Sequence, residues 1–174
     1  MRINNKSGFT LIELLVYILI LASLVLVTGS LFMSLNSGRI QAETRSEVDS
    51  NLRFALEKIS QDVRAASAMA TPNIAGATST SLALTVGSST ITYDVSAGKL
   101  RRQTDSDAPE QITSDNVEVN VSDAPLTFTR LENTNSVFSP PKKTISVEIV
   151  MKIKYKGDQY PYAESKKTTI SIRQ

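Results

Sequence analysis

At 174 residues the chain is long enough for one modest domain plus an appendage, and its formal charge of +2 provides no global basic field to draw nucleic acid. It contains neither cysteine nor histidine, which excludes disulfides, cysteine-based zinc sites, thiol catalysis, a Ser-His-Asp triad and His-ligated metals. An enzyme built from it would have to work with carboxylates, Lys, Tyr or a Ser-Lys pair alone.

The chain opens with MRINNKSG, a polar octapeptide carrying Arg2 and Lys6. Phe9 then starts an apolar run of 27 residues, Phe9 to Leu35, in which Glu13 is the single charge. As a helix this run would span roughly 40 Å at about 1.5 Å per residue, against a hydrocarbon core of about 30 Å. The segment is therefore expected to cross a membrane. The short basic N-terminal side would lie in the cytoplasm and everything beyond Leu35 outside. Ala22 and the small residues around Thr28 to Ser30 offer a conventional signal cleavage site, but the apolar core is long for a signal peptide.

Glu13 needs an explanation. A charge at the centre of a membrane helix costs about 2.5–3.5 kcal/mol on insertion scales, and less near a helix end. One reading is that its carboxylate snorkels to the headgroups. The other gives it a cationic partner. A cut between Gly8 and Phe9 would create an α-amine on Phe9, one helical turn from Glu13 or facing the Glu13 of a neighbouring helix. Pairing the two in low dielectric offsets much of their separate burial cost.

The stretch GFTLIELLVYILILASLVL, with Gly8, Phe9, Thr10, Leu11, Glu13 and the apolar run behind them, resembles the N-terminus of type IV prepilins and type II secretion pseudopilins. The resemblance implies that a prepilin peptidase, a membrane aspartyl protease, cuts after Gly8 on the cytoplasmic side and N-methylates Phe9. It implies that Glu13 becomes the fifth mature residue and pairs with a subunit N-terminus during filament assembly. The implied partners are that peptidase, other major and minor pilin or pseudopilin subunits, an inner-membrane assembly platform, and membrane lipid before assembly.

Beyond the apolar run the chain turns polar but stays periodic. Val48, Leu52, Ala55, Leu56, Ile59, Val63 and Ala66 recur at steps of three or four, which predicts a helix with one buried stripe. The opposite face carries Glu43, Glu47, Arg53, Glu57, Lys58, Asp62 and Arg64. Glycine and proline are absent from residues 39 to 71, and Pro72 follows as a stop. The expectation is one long helix from about Phe9 to Ala70, with Thr28-Gly29-Ser30 and Ser37-Gly38 as points where it bends or unwinds. NLRFALEKISQDVRAA is similar to the region after the membrane helix in W-type minor pilins and J-type minor pseudopilins. Glu13 argues against the K type, which usually lacks the fifth-position glutamate.

The stretch TPNIAGATSTS reads as a linker, and after it the period falls to 2. Leu82, Leu84 and Val86 alternate, as do Ile91, Tyr93 and Val95, then Val117, Val119 and Val121; Leu126 and Phe128 give a shorter case. In TISVEIVMKIKYK, Ile145, Val147, Ile149, Met151, Ile153 and Tyr155 face one way, and Ser146, Glu148, Lys152 and Lys154 the other. Ile170 and Ile172 mark a last strand. Gly87-Ser88-Ser89, Ala97-Gly98 and Lys156-Gly157-Asp158 suit hairpin turns. TITYDVSAGKLRRQT also resembles a strand-turn-strand of J-type heads. Consecutive hairpins imply a mostly antiparallel sheet with one face free for the amphipathic helix, an α+β architecture. The expected divisions are a leader at 1–8, a transmembrane or filament-core helix at 9–35, an amphipathic helix at 36–71 and a β-rich head at 72–174.

Chemistry-bearing clusters are few. Asp105, Asp107 and Glu110 stand close together, but their spacing is not that of an EF-hand, and the reading is a solvated turn rather than a calcium site. Lys142, Lys143, Lys152, Lys154, Lys156, Lys166 and Lys167 crowd the C-terminal segment. They read as protection of exposed strands from edge pairing, and nucleic acid is not expected, because aromatic residues suited to base stacking are sparse nearby. No metal, cofactor or catalytic residue is assigned. The expected function is a non-enzymatic minor pilin or pseudopilin, at or near a filament tip by its resemblance to J-type subunits. A membrane-anchored extracytoplasmic binding module that never polymerises is the rival; it has no account of Gly8, Phe9 and Glu13 together. A secreted hydrolase on a retained anchor is a poorer one.

Overall fold

A computed structural model describes residues 10–119, 124–137, 142–157 and 160–172. The chain divides after Ala42 into two compact units. One helix, α1, runs over Leu11–Ala65, and ten strands follow it.

The N-terminal part of α1 is apolar on every side and exposed on every side: Leu11 to Leu35 contains no buried residue. A helix of this length and composition meets the requirements of a membrane span. The helix does not break at the small residues marked as weak points, since Thr28 to Ser30 and Ser37-Gly38 are all helical. The hydroxyls of Ser23, Thr28 and Ser30 bond carbonyls of the preceding turn: Ser23 donates to Ile20 O, Thr28 to Leu24 O and Val25 O, and Ser30 to Val27 O.

From Glu43 onward the expected stripe is the buried one. Val48, Leu52, Ala55, Ile59 and Val63 are inaccessible to solvent, joined by Leu56 and Thr44. Each fully buried aliphatic side chain contributes about 1.5–3 kcal/mol. The helix stops at Ala65, short of Pro72, and Ala66 N closes the last turn on Val63 O. Ala68–Thr71, expected to be helical, instead form strand β1. Helix propensity is overridden there because Ser67 N and its hydroxyl both bond Thr85 O, steering the chain onto a sheet where Met69 is buried.

The remaining strands are β2 (Thr78–Ser79), β3 (Leu82–Val86), β4 (Ser89–Ser96), β5 (Lys99–Thr104), β6 (Glu110–Gln111), β7 (Val117–Val119), β8 (Thr127–Asn135), β9 (Lys142–Tyr155) and β10 (Ala163–Ser171). They form two sheets rather than one. The first has the order β1-β3-β4-β5-β6; the second has β10-β9-β8-β2, with β7 also on β9. Every pairing is antiparallel. Val119 N donates to Gly98 O, which ties β7 to the β4–β5 turn.

Alternation sets the faces as expected. Leu82 and Leu84 on β3, Ile91 and Tyr93 on β4, and Val147, Ile149, Met151 and Ile153 on β9 join the helix stripe in one core. The turns use the residues that their backbone demands. Gly87 (φ 62°) opens the β3–β4 turn, while Ala97 (φ 51°) and Gly98 (φ 72°) make the β4–β5 turn, where positive φ twists with the strands. Val121 lies outside the described residues.

Candidate functional site

Two places carry chemistry beyond packing: the start of α1, and the polar contacts that fasten the later part of α1 to the sheets. Gly8 and Phe9 lie outside the described residues. Thr10 is the residue before the helix, and its Oγ1 accepts the Glu13 N–H at 3.3 Å while its carbonyl accepts the N–H groups of Glu13 and Leu14. This is an N-cap, and Thr10-Leu11-Ile12-Glu13 has the T-x-x-E form of a capping box. Glu13 occupies the third helical position. Its side chain is exposed, at the end of the helix where unpaired N–H groups leave partial positive charge. A carboxylate is thus favoured locally before any intermolecular partner is considered. Sequence spacing found Glu13 from its isolation in an apolar run; the helix-start geometry supplies a second reason for the residue type.

The second place is a set of polar clamps between α1 and the strands. Asp62 Oδ2 accepts from the Tyr93 hydroxyl and from Arg102 Nε, each at 2.7 Å. The Asp62 and Arg102 side chains are only 15% and 19% exposed. Burial first, and then the Asp62 carboxylate, push the Tyr93 phenol well above its ordinary range, so it stays a donor. One turn after another up the helix, Asn51 and Glu47 hold the loop before β7. Asn51 Oδ1 accepts Ser114 N at 2.8 Å, and Glu47 Oε1 accepts the Ser114 hydroxyl at 2.6 Å. Glu47 and Asp62, assigned by periodicity to the exposed face, in fact flank the buried stripe: Asp62 bonds β4 and β5, and Glu47 the loop before β7.

Lys99 completes this loop from the other side. It is buried, and its ammonium donates to Ser114 O and to Val117 O at 2.9 Å, with Asp115 at 3.5 Å. Burial, and then the positive charge of Lys156, hold its pKa below the ordinary lysine value. Near the start of β10, Arg45 stacks over the Tyr162 ring at 5.6 Å. Among the described residues no buried side-chain nitrogen or oxygen lacks a hydrogen-bond partner. Sequence pattern gave none of these contacts, because the partners lie well apart in the chain and only the fold brings them together.

The acidic loop after β5 is a braced turn. Asp105 Oδ1 accepts Thr90 N at 2.7 Å, and this bond, then one from Ser89, holds its carboxyl below the usual carboxylate range. Among the described residues no group of three acidic side chains is placed to hold a metal ion. The lysines are interleaved with carboxylates. Lys167 pairs with Glu148 at 2.9 Å, Lys143 with Glu132 at 3.2 Å, and Lys154 stands opposite Glu118 in the β7–β9 register.

Residues 3–29 match the prokaryotic N-terminal methylation motif, a window that contains Gly8, Phe9, Thr10 and Glu13. No curated protein and no solved structure matches the chain.

Proposed function

We propose, from the premise that residues 3–29 carry the methylation motif that is the hallmark of type IV prepilin-like pilins and pseudopilins, that this chain is a minor structural subunit of such a filament. In this reading it waits in the membrane as a single-pass protein with its N-terminus in the cytoplasm. Prepilin peptidase removes residues 1–8 and methylates the new Phe9 amine. The apolar part of α1 then leaves the bilayer through an inner-membrane platform and packs among the helices of other subunits at or near the tip. Lipid contacts are exchanged for helix contacts, and the Glu13 carboxylate meets an N-terminal amine.

The observation that carries the reading is the coincidence at one helix end of a methylation motif and a lone exposed carboxylate in the first turn of an otherwise apolar helix. A carboxylate so placed can be retained at low cost in the membrane and then neutralised by a subunit amine. Glu13→Ala tests this. The variant should insert into membrane as well as the parent, or better, and be processed, yet fail to enter filaments isolated from cells that carry the other subunits. Incorporation at the parental level would contradict the amine pairing. A stable, processed chain that never enters filaments even with Glu13 in place would favour the anchored binding module.

A further inference from the structure

Glu13 is the single charged residue from Phe9 to Leu35, and the helix that carries it limits which side chains can reach its carboxylate. Residues three and four positions apart are neighbours on a helix surface, while those one or two apart face elsewhere. Within the described residues this leaves Thr10, Val16 and Tyr17. Val16 has no donor. The Thr10 oxygen takes the Glu13 N–H at 3.3 Å, as the cap of the helix start. Tyr17 carries a phenol hydroxyl, a hydrogen-bond donor, one turn on from Glu13 and on the same face.

Direction favours the same pair. Long side chains on a helix lean back toward its N-terminus, so Tyr17 covers the turn that contains Glu13. Both side chains are exposed, Tyr17 at 54%, and neither belongs to the core of the chain. The short hydroxyls of the run bond their own helix, as Ser23, Thr28 and Ser30 do with carbonyls of the preceding turn. A phenol oxygen stands beyond a rigid ring and does not fold back in that way. It is suited to an acceptor on a neighbouring side chain. A hydrogen bond to an ionised acceptor is stronger than one between neutral groups, and stronger again where water is scarce.

We propose that the Tyr17 hydroxyl donates to the Glu13 carboxylate while α1 lies in the bilayer, which makes Tyr17 a positioning residue that holds the carboxylate at the helix start. The pairing rests on the reading of this part of α1 as a membrane span, and not on filament assembly. A carboxylate has about four acceptor sites, so a subunit amine can join the phenol on it without displacing it.

Fluorine NMR tests the pair in the full-length chain, with meta-fluorotyrosine at position 17 alone, in nanodiscs of phosphatidylethanolamine and phosphatidylglycerol and with no other subunit present. The fluorine sits beside the hydroxyl and senses its hydrogen bond. Glu13→Ala should move the resonance by more than its linewidth. Glu13→Gln keeps an acceptor oxygen and should move it less. Leu14→Ala alters the neighbour three residues before Tyr17 but removes no acceptor, and should leave the resonance within its linewidth. A resonance that ignores Glu13→Ala, that Glu13→Gln moves as far as Glu13→Ala, or that Leu14→Ala moves as far, overturns the proposal. Each of these results leaves the filament reading standing, because no assembly takes part in the measurement. A chain that does not enter the nanodiscs overturns the membrane reading and the proposal with it.

Discussion

Asp105 shows how much one side chain in an acidic cluster can be committed to structure. It sits at φ 50°, a backbone region where Asp and Asn are better tolerated than most residues. Its carboxylate ties the loop after β5 to Thr90 N at the start of β4. Because the folded carboxyl titrates below the usual range, its contribution is in place above about pH 4 and is lost as pH falls through the lower folded value. Asp105→Asn keeps the turn geometry and removes the charge. The stability gap between parent and variant, measured by urea unfolding, should be present at pH 7 and shrink as pH falls below about 4. A gap that stays constant or widens toward low pH would show that the charge is not what matters. At the same scale, Glu13 stands out in the sequence because a lone carboxylate in 27 residues contradicts its surroundings. Lys99, Asp62 and Ser114 do not, because an ordinary polar residue on a periodic pattern announces nothing until a partner tens of residues away is brought to it.

At the scale of elements, hydrophobic period carried most of the information. Steps of three and four marked the face of α1 that is buried, and alternation marked the inner faces of β3, β4 and β9, since both patterns follow from backbone geometry alone. The period failed at Ala68–Thr71, where four residues of good helical character are taken by a sheet edge. It also failed for β2, β5 and β6, which have too few alternating apolar residues to register. The Asp62–Tyr93–Arg102 clamp fixes α1 to β4 and β5 at one point along the buried stripe. Asp62→Ala leaves the Arg102 guanidinium and the Tyr93 hydroxyl without their acceptor in a mostly buried place. It should cost about 3–5 kcal/mol in denaturant unfolding of the folded chain. A loss below about 1 kcal/mol, the level of a surface pair, would mean the clamp is solvated in solution.

For the molecule as a whole, two separate physical demands are written in one chain. The head closes its own core and satisfies its own buried polar groups among the described residues. The N-terminal part of α1 buries none of its apolar side chains, from Leu11 to Leu35. Such a surface is stable only in lipid or against other apolar helices. The α+β class and the division between an apolar helix and a β-rich head could be read from composition and period. The split of that head into two sheets could not, because which strands become neighbours depends on long-range pairing that no local pattern encodes. The filament reading connects the two demands through a single event, the conversion of a capped, charged helix start into a free amine beside Glu13. Intact-mass and N-terminal peptide mass spectrometry of the protein from cells with an active prepilin peptidase tests that event most directly. The account predicts a chain that begins at Phe9 and is heavier by one methyl group. A chain that retains residues 1–8 and an unmodified terminus under those conditions would contradict it.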